Sequence, residues 1–257
     1  MAQQMLDHYC RLDPISIVLD KPITISPTQK KLLSVAIERL TKHEPIQYVL
    51  GRAHFLGRTF QVSPAVLIPR PETEALVQDI ISQNRKRAPH VLDIGTGSGC
   101  IAITLQKELP QAIVHALEVD SDALHMAKIN AQRLGAKVHF IHADVLHTSL
   151  PDQYWDIIVS NPPYVRLFEQ KQMQPRVLFY EPAKALFVPN AKPLLFYEKI
   201  AILAPQHLRP AGKLYLEINE ALGIQVARLL SETGLQRVGI RKDLHGKDRW
   251  VVGTWRA

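Results

Sequence analysis

A doubly wound α/β sheet of seven strands, mainly parallel with its last strand antiparallel, is the architecture the amino-acid sequence calls for. Two observations predict it. From about Pro69 onward, short apolar runs rich in β-branched residues alternate with segments of helical spacing. Glycine or polar residues break the pattern just after successive strand-like runs, where open α/β sheets bind ligands. A small N-terminal helical domain (1–53) and a connecting β-hairpin (54–68) precede this larger domain (69–257).

In the N-terminal zone, Leu32, Leu33, Ala36, Ile37 and Leu40 recur at three- and four-residue steps, which is helical spacing. Ser26 or Thr28 can cap that helix, with Pro27 in its first turn. Phe55, Phe60, Val62 and Val66 then alternate with polar or small residues around Gly57 and Pro64, as a short hairpin would. Strands are predicted at His90–Ile94, Ala112–Val119, Lys137–His142, Trp155–Val159, Lys213–Ile218, Arg237–Arg241 and Arg249–Trp255. Helical patterns occupy Cys100–Glu108, Asp122–Leu134, Pro193–Leu208 and Ala221–Thr233. Only a short loop carrying Asp243, His245, Gly246 and Asp248 joins the last two strands. They must pair antiparallel, because a parallel crossover needs a dozen or more residues.

The chain has 257 residues, 46% hydrophobic and 21% charged, which suits a globular protein. No apolar run approaches the roughly 18–20 residues that span a bilayer, so no membrane association is expected. Met1 to Cys10 carries Asp7 and no basic-then-apolar pattern, which does not read as a secretory signal. Cys10 and Cys100 match no metal or redox spacing, and a cytoplasmic location is expected. A net charge of +7 favours acidic partners, nucleic acid or protein.

Four strand ends carry the chemistry. The first continues into Gly95-Thr96-Gly97-Ser98-Gly99, the second ends at Glu118, the third is followed by Asp144 and Val145, and the fourth by Asn161-Pro162-Pro163-Tyr164. Glycines allow positive φ and a close approach of ligand to backbone. Their spacing departs from the dinucleotide fingerprint, and the loop lacks the lysine of a phosphate-binding loop. A ligand without pyrophosphate fits, and S-adenosyl-L-methionine, an amino acid joined directly to a nucleoside, is the expected cofactor. Glu118 is placed to accept hydrogen bonds from ribose hydroxyls, while Asp120, Ser121 and Asp122 are better placed to cap the next helix. Asp144 and the Val145 backbone border the adenine position.

Methyl transfer to an amide or amino nitrogen needs what Asn161-Pro162-Pro163-Tyr164 offers. Such a nitrogen is a poor nucleophile, because its lone pair is delocalised. The Asn161 side-chain oxygen and the Pro162 carbonyl can each accept one N–H, aiming the remaining lobe at the methyl group. Two prolines stiffen the turn, and Tyr164 offers a ring face to the sulfonium or to the flat target. No metal and no nucleophile–histidine pair is required.

These residues are similar to those of the release-factor glutamine methyltransferases, the HemK family. The likeness runs through Glu44-Pro45-Ile46-Gln47-Tyr48-Val49-Leu50-Gly51, Leu67-Ile68-Pro69-Arg70-Pro71-Glu72-Thr73-Glu74 and Val91-Leu92-Asp93-Ile94-Gly95-Thr96-Gly97-Ser98-Gly99. It continues in Asn161-Pro162-Pro163-Tyr164, Tyr180-Glu181-Pro182, Leu216-Glu217-Ile218 and the segment from Lys242 to Arg249. The resemblance implies a Rossmann-like methyltransferase fold, with Gly95 to Gly99, Glu118 and Val145 around the cofactor and Asn161 to Tyr164 around a glutamine. It also implies a helical N-terminal domain, here shorter than is usual in the family, that grips class 1 peptide chain release factors. Direct nucleic-acid binding is not expected. The alternatives are a nucleic-acid amino methyltransferase, which shares the Asn-Pro-Pro-Tyr motif, and a ribosomal-protein glutamine methyltransferase. Two departures from the family pattern are Val188 to Pro193, where a glycine-rich loop is common, and Asn219, where glycine is common.

Overall fold

The computed structural model describes residues 1–10, 24–243 and 245–256. Positions 11–23 of the N-terminal domain and Leu244 of the Lys242–Arg249 segment lie outside the described residues.

The N-terminal part holds α1 (Ala2–Cys10), α2 (Pro27–Thr41) and α3 (Ile46–Leu50). Ser26 is the cap of α2: its hydroxyl accepts from the Gln29 N–H, and the Gln29 side chain accepts from the Ser26 N–H, with Pro27 in the first turn. The hairpin pairs β1 (Arg52–Phe55) with β2 (Arg58–Gln61), so it starts at Arg52 rather than His54. Its turn residues Leu56 and Gly57 both have positive φ, and the Glu74 carboxylate accepts the Leu56 N–H at 3.0 Å. Fully buried Phe55 and Phe60 meet edge to face and anchor the hairpin in the main core.

The seven-stranded sheet contains β3 (His90–Ile94), β4 (Ile113–Glu118), β5 (Val138–His142), β6 (Trp155–Ser160), β9 (Leu208–Glu217), β10 (Gln236–Lys242) and β11 (Asp248–Thr254). Their spatial order is β10-β11-β9-β6-β3-β4-β5. All neighbours from β9 to β5 run parallel, and β11, the last strand, is antiparallel to both β9 and β10. A separate two-stranded ribbon joins β7 (Val165–Arg166) to β8 (Phe187–Val188), with the short helices α7 (Pro175–Leu178) and α8 (Ala183–Leu186) between them in the chain.

Two cores form because both faces of the sheet are covered. On one face, α4 (Pro71–Asn84) and α5 (Cys100–Glu108) pack Leu76, Ile80, Ile101 and Ile103 against Val91 and Val159. On the other, α9 (Leu195–His207) and α10 (Gly223–Glu232) pack Tyr197, Ile200, Val226 and Leu230 against Leu92, Ile94 and Ile158. The chain winds outward from β3 to β5 and then returns to β6 on the opposite side of β3. The crevice for a ligand therefore opens beyond the carboxyl ends of β3 and β6. Among the described residues, no helix is long and apolar enough to cross a membrane.

Candidate active site

The glycine loop leaves β3 in a conformation that side chains resist. Gly95, Gly97 and Gly99 have φ of 74°, 55° and 81°. A Cβ at Gly95 or Gly97 would meet no heavy atom within 4 Å, so these two leave open space beside the backbone. Gly99 serves packing instead: a Cβ there would lie 2.7 Å from Ile103 Cδ1 and 3.3 Å from Ala127 Cβ. Asp93, fully buried at the end of β3, ties the loop down by accepting from the Thr96 hydroxyl (2.6 Å) and the Ala102 N–H (3.2 Å). Its Oδ1 finds no partner among the described residues, and burial pushes its carboxyl up to about 7.

Glu118 ends β4 and is 7% exposed. Its Oε2 accepts the Gly97 N–H at 2.8 Å, and its Oε1 accepts the Val119 and Asp120 N–H groups at 3.0 Å each. One oxygen is filled, while Oε2 retains a lone pair for a further donor. The cap of α6 (Ser121–Leu134) is Asp120, so Glu118 is free of that duty. Asp144 accepts the Leu146 N–H and pairs with His147, and buried Val145 follows it. Asn130 on α6, completely buried, bonds both the Gln61 backbone and the Ser98 carbonyl, which joins the hairpin to the glycine loop.

Beyond β6, the Ser160 hydroxyl donates to the Ile94 carbonyl and holds the following turn beside the loop. Asn161 Nδ2 donates to Thr73 Oγ1 at 3.2 Å, and Thr73 donates to Glu217 Oε2 at 2.7 Å. Tyr164 donates its hydroxyl to Glu217 Oε1 at 3.3 Å. Burial pushes the Tyr164 hydroxyl well above its ordinary value and the Glu217 carboxyl up to about 7.

These segments enclose a cleft of about 1030 Å³, counting its open mouth. Gly95, Thr96, Gly97, Ser98, Glu118, Asp144, Val145, Asn161, Pro162 and Pro163 all line it, ten residues that the sequence placed at strand ends. Gly99 and Tyr164 do not: the first lies under the loop between helices, and the second is turned toward Glu217. Leu117, Val119, Ala143, Phe196 and Ile200 supply an apolar wall. Residues from Ala65 to Arg70, with Lys184 and Ala185, close the other side. Glu181 pins that side by accepting from the Ile68 N–H (3.2 Å) and from Arg70 (2.5 Å), and Lys184 pairs with Asp120. Thr73 and Glu217 were given no role from sequence; their signals there were the Leu67–Glu74 and Leu216–Ile218 segments of the family resemblance and, for Glu217, a carboxylate ending an apolar strand. The departures from the family pattern also have partners: Asn219 donates toward the Tyr164 carbonyl, and Asn190 accepts the Phe168 N–H.

S-adenosylmethionine fits this cleft on its own terms. The Cβ-free backbone at Gly95 and Gly97, the spare acceptor of Glu118 and the apolar slot beside Val145 suit its amino-acid, ribose and adenine parts in turn. Fold and cleft together define an S-adenosylmethionine-dependent methyltransferase. Residues 71–192 match the family model described as methyltransferase small domain, and residues 1–51 the PrmC N-terminal domain. A release factor glutamine methyltransferase of Bacteroides thetaiotaomicron is 47% identical over 244 residues, covering 95% of this chain and 87% of its own. Another, from Flavobacterium psychrophilum, is 42% identical over 256 residues, covering 98% and 90%. The chain belongs to the release factor glutamine methyltransferase family. Among solved structures, a methyltransferase from Pyrococcus furiosus shares the fold at 19% identity, with a TM-score of 0.61 over 87% of this chain and 100% of its own. A 16S rRNA methyltransferase of T. thermophilus, solved with AdoMet and guanosine, does so at 21% identity, with a TM-score of 0.58 over 80% and 50%.

Proposed function

We propose that this chain transfers a methyl group from S-adenosylmethionine to the side-chain amide nitrogen of the glutamine in the Gly-Gly-Gln loop of class 1 peptide chain release factors, in the cytoplasm. The observation that carries the proposal is that Asn161, Pro162 and Pro163 stand on the wall of the same cleft as Gly95 to Ser98 and Glu118.

The cofactor supplies an electrophilic methyl group on a sulfonium. Gly95 to Ser98 would hold its amino-acid end, Glu118 its ribose, and Val145 with its apolar neighbours its adenine. Asn161 Oδ1 and the Pro162 carbonyl accept the two N–H bonds of the target amide, turning its lone pair toward the methyl group. Orientation of this kind can supply about 7–11 kcal/mol of barrier lowering when the reacting atoms lie about 3–3.5 Å apart. No strong base is needed, because the methylated nitrogen is acidic enough to release its proton to water. Tyr164 stiffens the turn from behind rather than facing the reaction. The N-terminal helices are the surface that grips the release factor, and direct nucleic-acid binding plays no part.

The test is transfer of labelled methyl to a purified release factor, to its Gln→Ala loop variant and to nucleic acid. Label on the wild-type factor alone supports the assignment. Label on nucleic acid alone, or equally on both factor variants, refutes it.

A further inference from the structure

We propose that Thr73 and Glu217 are positioning residues that fix the polarity of the Asn161 side chain, turning its NH2 group inward and leaving its Oδ1 for the substrate. An asparagine amide offers an acceptor on one branch and two donors on the other, so its neighbours decide which branch faces which way. Glu217 is 1% exposed and Thr73 2% exposed, so neither turns to water for a partner. In its ionised form the Glu217 carboxylate only accepts. The single Thr73 hydroxyl proton goes to Glu217 Oε2 at 2.7 Å, which leaves Thr73 with lone pairs alone toward Asn161. Asn161 Nδ2 fills that place at 3.2 Å. Tyr164 occupies the other Glu217 oxygen and holds the carboxylate in register.

A flipped Asn161 would set Oδ1 against the Thr73 lone pairs. It would also present donors to a substrate amide that itself brings donors. The relay thus carries a sign, acceptor toward the cleft, from a buried strand end to the reacting group. Its members lie 144 and 88 positions apart in the chain, so only the folded sheet assembles it. The direction Asn161 must face rests on the proposed amide substrate, while the state of its side chain can be read without substrate.

Three full-length proteins are compared: wild type, Thr73→Val, which keeps the shape and removes the hydroxyl, and Thr73→Ser, which restores it. On a release factor, Thr73→Val is expected to lose kcat by ~10–100-fold, a loss of the size that misplacing a catalytic contact produces. KM for the factor and Kd for the cofactor stay unchanged, and Thr73→Ser recovers most of kcat. Wild-type kcat in Thr73→Val, or a folded Thr73→Ser as slow as Thr73→Val, overturns the relay. The second readout is the Asn161 side-chain amide resonance in a proton–nitrogen correlation spectrum, assigned by its loss in Asn161→Ala. A shift in Thr73→Val that returns in Thr73→Ser supports the relay, and an unmoved resonance overturns it. Should the wild type label no release factor, the function falls, and the resonance still decides the relay.

Discussion

Asp93 and Glu217 are carboxyls enclosed where water cannot reach, and burial pushes both up to about 7. Around Glu217, hydrogen bonds from Thr73 and Tyr164 and the charge of Arg249 pull its pKa down, while Glu72 pushes it up. Tyr197 donates only to its carbonyl. Unfolded, Glu217 titrates near 4.5 and Asp93 near 3.8, so through the interval up to about 7 the folded chain binds more protons than the unfolded one. Stability contributed by these groups is present at low pH, falls as pH rises through that interval, and is level above it. Glu217→Gln removes one of the two titrations. Its stability should therefore decline less than that of the wild type between pH 5 and pH 8, each pKa unit being about 1.4 kcal/mol. Urea unfolding at the two pH values measures it; parallel declines would refute it. Two substitutions separate the roles on the cleft wall. Asn161→Ala should lower kcat by at least ~100-fold with cofactor affinity intact. Glu118→Ala should weaken cofactor binding by roughly 10–100-fold, since a hydrogen bond to a charged group contributes about 1.5–3 kcal/mol. Calorimetry with cofactor and single-turnover transfer distinguish the two. Gly95, Glu118 and Asn161 were legible in the sequence because they interrupt apolar runs at strand ends. Thr73 was not, because a threonine in a helix's first turn is ordinary until Glu217 is folded against it.

Elements were legible where both ends are punctuated. β3 and α5 fall at His90–Ile94 and Cys100–Glu108, the bounds the sequence indicated, because the glycine loop separates them. α4 was missed. Pro69-Arg70-Pro71 reads as loop, yet Pro71 opens the helix in its first turn, where its missing N–H costs nothing. β9 begins at Leu208 instead of Lys213. Its early part carries Pro210, Gly212 and an Ala211 of positive φ, a turn-like composition that the pairing of Leu208 with Trp155 nevertheless draws into the sheet. Gly99 shows what a helix start can demand. Gly99→Ala should destabilise the protein by about 1–3 kcal/mol, through its φ and through the clash with Ile103. Adding Ile103→Val removes the clashing Cδ1 and should recover part of the loss. Thermal melting of the single and double variants checks this; no recovery would place the whole cost in the backbone.

At the scale of the whole molecule, the N-terminal helices are fastened to the catalytic domain rather than tethered to it. Tyr48 packs with Ala53, Val62, Val66, Ile68 and Ala123, and its hydroxyl donates to the Val66 carbonyl at 2.6 Å. Tyr180, from the segment after Asn161-Pro162-Pro163-Tyr164, donates to the Lys42 carbonyl at 2.6 Å. Tyr180→Phe removes that contact, and KM for the release factor should rise by up to ~10-fold, a net hydrogen bond being about 0.5–1.5 kcal/mol. kcat and cofactor affinity should hold. Steady-state kinetics on the factor provide the check, and an unchanged KM would remove the N-terminal helices from substrate capture.

The catalytic sheet has two borders, β5 and β10. β5 turns His139 and His142 to solvent. β10 bears Arg237, Arg241 and Lys242 and slips register against β11 in two places. The β10 border therefore does not present the straight, uncharged row of amides onto which a foreign strand could stitch itself. A large visitor meets that border as a face, not as a seam.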